Sequence, residues 1–195
     1  MASVGVGVRR VRRLDDGHDM NAPQPGDILV TRSSSLFGAL IRLGAAIRDQ
    51  PNLGNHVAVV HHKDLHGIMW CIEGRPGGVG WRDATEYLRS RWTITNADQP
   101  KTYAQRELIC QAADAAIGTP YDWQGIAADA AEALKLPALF AEKWDGHVPG
   151  HVVCSSLAAW AYSKAGLAHP VYDDLPRTTP GDWLQFLLTR AWATP

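Results

Sequence analysis

The sequence predicts a single α+β domain, a small antiparallel sheet with helices packed against it. Three observations carry this. Short runs rich in β-branched residues, at 27–32, 56–62, 68–73 and 92–95, cluster in the first half. The second half reads as helices at roughly 103–117, 123–136, 153–165 and 180–190, punctuated by Gly118-Thr-Pro120, Pro149-Gly150 and Gly166. No internal repeat, low-complexity tract or linker separates the halves. Strands grouped before helices argue α+β rather than an alternating, doubly wound sheet.

In chain order, residues 1–22 are expected to be a flexible N-terminal arm and residues 23–195 the folded domain, beginning after Pro23 and Pro25-Gly26. Asp27-Ile-Leu-Val-Thr-Arg32 reads as a short buried strand. Ser33 to Ser35 then offer N-caps for a helix over 36–48, with Leu36, Leu40, Leu43 and Ile47 on one face and Pro51 beyond its end. The runs 56–62 and 68–73 are joined by Lys63-Asp64-Leu65-His66 and predict a β-hairpin. Arg75-Pro76-Gly77-Gly78 breaks the chain, and 83–89 reads as a short helix.

Composition removes several function classes. The formal net charge is -1, with both signs interspersed, so no field recruits nucleic acid or an anionic membrane. The basic run Arg9-Arg10-Val11-Arg12-Arg13 has no long apolar core after it and does not read as a secretory signal, which suggests a protein cytoplasmic when made. The most apolar stretch, 36–47, is interrupted by Arg42 and falls short of the ~20 residues that span a bilayer. Three widely spaced cysteines fit neither a disulfide framework nor a CxxC metal knuckle.

Among those cysteines, Cys154 starts a helix whose apolar stripe continues through Leu157, Ala158, Ala161 and Ala165. Its sulfur is therefore expected inside, where the helix dipole favours thiolate. Cys71 in a strand and Cys110 in a helix need only core packing to account for them. A nucleophilic cysteine needs a base, and of eight histidines His56 is best placed, because it follows Gly54-Asn55 and opens a rigid valine-rich strand. If 63–66 form an even, symmetric loop, His62 faces Gly67 and His56 faces Glu73. The β-carbons of such a pair lie ~4.5–5.5 Å apart, close enough for the carboxylate to fix the imidazole tautomer. A competing zinc set of His147, His151 and Cys154 is weaker, since Pro149-Gly150 interrupt it and no fourth ligand follows.

The ordered motifs Pro25-Gly-Asp-Ile-Leu-Val30, Asn55-His-Val-Ala-Val-Val60, Cys71-Ile-Glu73-Gly74, Gly118-Thr-Pro-Tyr121-Asp122-Trp123 and Val153-Cys154-Ser155-Ser156-Leu157 resemble circularly permuted NlpC-type papain-like hydrolases. The YiiX-like proteins and, more distantly, the lecithin retinol acyltransferase group belong there. The resemblance covers roughly residues 25–183, and the histidine strand precedes the cysteine helix as in the permuted members. It implies a papain-like fold with Cys154 as nucleophile, His56 as base and Glu73 orienting the histidine. Tyr121 and Ser155 would shape the substrate or oxyanion pocket, and no cofactor would be needed. Ser155-Ser156 stand where the family usually has an acidic residue soon after the cysteine.

The expected activity is cleavage of an amide bond in peptidoglycan stem peptides. Delivery in a phage tail, among other virion proteins, would bring an enzyme without an export signal to the wall. The alternatives are a lipid acyl hydrolase or acyltransferase of the same fold, and an idle structural or binding component.

Overall fold

The computed structural model describes residues 22–32, 54–90, 93–123, 150–170 and 178–189. The expected arm through residue 21, the 36–48 helix, Trp92, Arg190, His147 and all but the first residue of the 123–136 helix lie outside the described residues. Five strands, β1 (Ile28–Thr31), β2 (His56–Lys63), β3 (Met69–Arg75), β4 (Gly78–Asp83) and β5 (Ile94–Thr95), form one sheet in the order β4-β3-β2-β1-β5. Every pairing in it is antiparallel. Among the described residues four helices accompany it: α1 (Thr85–Arg89), α2 (Tyr103–Ala115), α3 (Cys154–Lys164) and α4 (Pro180–Thr189). The coarse α+β class expected from the sequence is the one observed.

The sheet is buried on both sides, which explains why Ile28-Leu29-Val30 and Val57-Ala58-Val59-Val60 are continuously apolar rather than alternating. Successive side chains point to opposite faces. Ile28, Val30, Val57, Val59 and Ile72 face the main core with Leu157, Ala158, Tyr162, Trp183 and Leu184 from α3 and α4. Leu29, Ala58, Val60 and Cys71 face a smaller core with Ala84, against which Tyr87 and Leu88 of α1 pack. Helix α2 starts on a capping box, in which Thr102 accepts from Gln105 N–H at 3.2 Å while the Gln105 side chain takes the Thr102 N–H at 2.9 Å.

Two sequence expectations change here. The sequence places a break at Arg75-Pro76-Gly77-Gly78 and assigns no element to 79–82, where the structure has strand β4, because Gly77, Gly78 and Gly80 mask the alternation of Val79 and Trp81. Gly77 and Gly78 have φ of 108° and 105°, and Arg75 pairs with Gly78 across a tight Pro76-Gly77 turn. The β2–β3 hairpin was expected to have an even loop. Instead Lys63 pairs with Met69, and Asp64 organises a five-residue turn, taking the N–H groups of His66 and Ile68 at 2.8 and 2.9 Å and the Trp70 indole at 3.0 Å. The register shifts between Val60 and His62, after which Val59 faces Ile72.

Candidate active site

The turn into α3 is built by local chemistry. Val153 is extended, and the Ser156 hydroxyl accepts the Val153 N–H and donates to its carbonyl, both at 3.1 Å. The Val153 N–H, which the helix itself would leave unpaired, is thereby satisfied, while its carbonyl also takes the first helical bond from the Leu157 N–H at 3.0 Å. Helix α3 seats against β3 at Gly74, where a β-carbon would lie 3.2 Å from the Cys154 nitrogen. Any larger residue there would push the helix start away from the sheet. Cys154 is buried, 2% exposed.

On the sheet, His56 opens β2 opposite Thr31, and the preceding Asn55 N–H donates to the Thr31 carbonyl at 3.0 Å. The β2–β3 ladder begins at Val59↔Ile72, short of Val57, and the Val57 N–H hydrogen-bonds the Cys154 sulfur. His56 Nε2 lies 2.6 Å from Glu73 Oε2, which leaves Nδ1 as the ring nitrogen for its hydrogen bond with Cys154. The expected pair thus meets by a different route. With Val59 opposite Ile72, Glu73 falls across from Ala58 and reaches His56 diagonally. A two-residue slip preserves the face, so the contact survives where a one-residue slip would have lost it.

Burial by itself would push the His56 imidazole down. The charge and hydrogen bond of Cys154, followed by the hydrogen bond and charge of Glu73, outweigh it and carry His56 up to about 9. Burial likewise opposes ionisation of Cys154, but the charge and hydrogen bond of His56 and the Val57 N–H hold the thiol below its ordinary value. The two groups favour a thiolate–imidazolium pair. The other cysteines go the opposite way: burial raises Cys71 strongly and pushes Cys110 up to about 11.

Glu73 has no solvent-exposed side-chain surface and is surrounded by donors. The Tyr87 hydroxyl donates to its two oxygens at 3.0 and 3.2 Å, Arg75 Nε pairs with Oε1, and Arg82 Nε stands 3.8 Å away. The Tyr87 ring lies 6.0 Å from the His56 ring. The sequence reading missed Arg75, Tyr87 and Gly74. An isolated glycine inside a strand run is a signal of close backbone approach and could have found Gly74; nothing in the spacing ties Tyr87 of α1 to Glu73.

Tyr121 is buried beside the segment entering α3, joined by Asp122 N–H to the Val152 carbonyl and by Val152 N–H to the Pro120 carbonyl, both at 3.1 Å. Burial and then the Cys154 charge raise its phenol far above the ordinary value, so it stays a neutral hydroxyl close to the sulfur. Ser155 is not brought to the pair by its hydroxyl, which donates to the Thr178 carbonyl at 2.5 Å, while the Ser155 carbonyl accepts from the Trp183 indole at 3.0 Å. These bonds fasten α3 to α4.

Among the described residues, no group of three metal-ligating side chains could hold an ion, and no helix is long and apolar enough to cross a membrane. Comparison with family models, curated proteins and solved structures finds no match for this chain.

Proposed function

We propose that the chain is a cysteine-dependent hydrolase, a circularly permuted NlpC-type papain-like domain that cleaves an amide bond in peptidoglycan stem peptides. One observation carries the chemistry: a buried thiol at a helix start is paired with an imidazole whose far nitrogen is 2.6 Å from a buried carboxylate. That constellation generates a nucleophile at neutral pH, which structural cysteines do not need.

In the proposed reaction the Cys154 sulfur attacks the carbonyl carbon, and the oxyanion is met by the Cys154 N–H at the start of α3. The His56 proton passes to the departing amine as the C–N bond breaks. Water then gives its proton to His56 and attacks the thioester, releasing the acid and restoring the thiol. Glu73 keeps the imidazole in register through both halves. The wall substrate rests on the motif resemblance.

The test is release of new amino groups from purified peptidoglycan and of fatty acid from phospholipid vesicles, with Cys154→Ala protein as the blank in both. Cysteine-dependent amine release supports the proposal. Fatty-acid release alone would move the substrate to lipid esters, and no cysteine-dependent product in either arm would remove the hydrolase reading.

A further inference from the structure

Resting on Cys154 and His56 as nucleophile and base, we propose that Arg75 and Tyr87 are positioning residues. They grip the Glu73 carboxylate so that it aligns the imidazole without its full charge reaching the sulfur.

The geometry is a closed ring. Arg75 Nε pairs with Glu73 Oε1, an Arg75 terminal N–H donates to the Tyr87 oxygen, and the Tyr87 O–H donates back to Glu73. The guanidinium also stands over the Tyr87 ring, 5.9 Å from its centroid. Glu73 Oε1 takes Arg75, while Oε2 takes His56 at 2.6 Å and the nearer Tyr87 contact at 3.0 Å, so both carboxylate oxygens are held and the carboxylate plane is fixed. Without the ring, His56 alone would orient a buried carboxylate, and a buried charge with one partner is strongly disfavoured.

The charge argument points the same way. A negative Glu73 holds the proton on His56 but opposes the thiolate on Cys154. The guanidinium beside it offsets the second effect. Among the described residues, the titratable and charged groups around the pair are Glu73 and Arg75 from β3, Arg82 from β4, Tyr87 from α1, Cys154 from α3, and Tyr121 with Asp122 from the described segment that ends before residue 124. Among the described residues Arg75 is the cation in direct contact with Glu73, and Arg82 stands off at 3.8 Å; both side chains are partly exposed, so the shorter contact rather than burial gives Arg75 the larger effect.

The experiment is the pH dependence of Cys154 alkylation by iodoacetamide, mapped by mass spectrometry, a readout that needs no substrate. Arg75→Gln is expected to move the acid limb upward by about half to one pH unit, slowing alkylation about three- to tenfold below the limb. Arg75→Lys keeps the charge and should return the limb most of the way. Tyr87→Phe removes one hydroxyl with little threat to folding and should shift the limb upward by less, which keeps the test intact should Arg75→Gln not fold. A lowered melting temperature with an unmoved limb in these variants would make the ring merely structural and overturn the inference. Poor reactivity of Cys154 in the parent protein would instead overturn the functional reading on which the inference rests.

Discussion

Strand β2 carries histidine at both ends. At one end His56 is 8% exposed and faces a carboxylate with no exposed side-chain surface, 2.6 Å away. At the other, the bulge near His61 brings His61 and His62 together, with their Nδ1 atoms 3.0 Å apart and both rings against Trp81. His61 also meets a carboxylate, Asp114, at 3.0 Å, but that side chain is 45% exposed. Both ends therefore have a histidine, a carboxylate and an aromatic neighbour. A thiol stands near the His61 end too, since the Cys110 sulfur lies 3.9 Å from the Val60 and His61 carbonyl oxygens, but it sits mid-helix and burial raises it. Among the described residues the His56 end alone has its thiol at a helix start, beside the imidazole and shut from water, and the comparison points to that placement, rather than the His–carboxylate contact, as what separates the two ends.

The sharpest way to break the comparison is to remove each histidine in turn. His56→Ala should lower cysteine-dependent turnover by about a thousandfold or more, because the sulfur loses its base and the leaving amine its proton donor. His61→Ala should leave turnover within about twofold, as expected of a surface change away from the pair. Initial rates on the substrate identified in the peptidoglycan and vesicle assays check both, and equal losses would collapse the distinction between the ends.

The next effect is in pH. Because His56 is carried up to about 9, the imidazolium persists through neutral pH and is lost as pH rises past that value. Turnover should fall about tenfold for each pH unit above this limb, since the leaving amine can no longer be protonated. Alkylation of Cys154 should not fall there, because the thiolate remains the reactive species once His56 is neutral. A turnover limb near the ordinary histidine value of 6.5 would show that the pair does not hold the proton as described.

Much of this arrangement was legible in the sequence, and the part that was not has a physical reason. The apolar stripe behind Cys154 gave the helix start, and the valine run after His56 gave the strand. The face shared by His56 and Glu73 survived a wrong loop length because the irregularity between Val60 and His62 offsets the odd turn and leaves a net slip of two residues. The exact register did not, because Asp64 closes a five-residue turn through side-chain bonds that hydropathy does not reveal. Strand β4 was hidden by glycines that serve the turn and the thin edge of the sheet. The Arg75–Tyr87 grip on Glu73 joins residues on different elements, and only their packing brings them together.

The smallest effect is in stability, and it tests whether burial is what separates the two carboxylates. Asp114→Asn should cost less than about 1 kcal/mol, because an exposed ion pair exchanges water contacts for protein contacts with little net gain and is screened by salt. Glu73→Gln keeps the shape but removes a buried negative charge from His56, Arg75 and Tyr87, and should cost about 1–3 kcal/mol more than the surface change. It should also slow turnover less than His56→Ala does, since an amide can still hydrogen-bond the imidazole but cannot stabilise its cation. Urea midpoints for the two variants, measured at neutral pH with equal slopes, give the comparison directly. If Asp114→Asn costs as much as Glu73→Gln, burial is not the difference between the ends of β2, and the exposed His61–Asp114 pair carries structural weight that its exposure argues against.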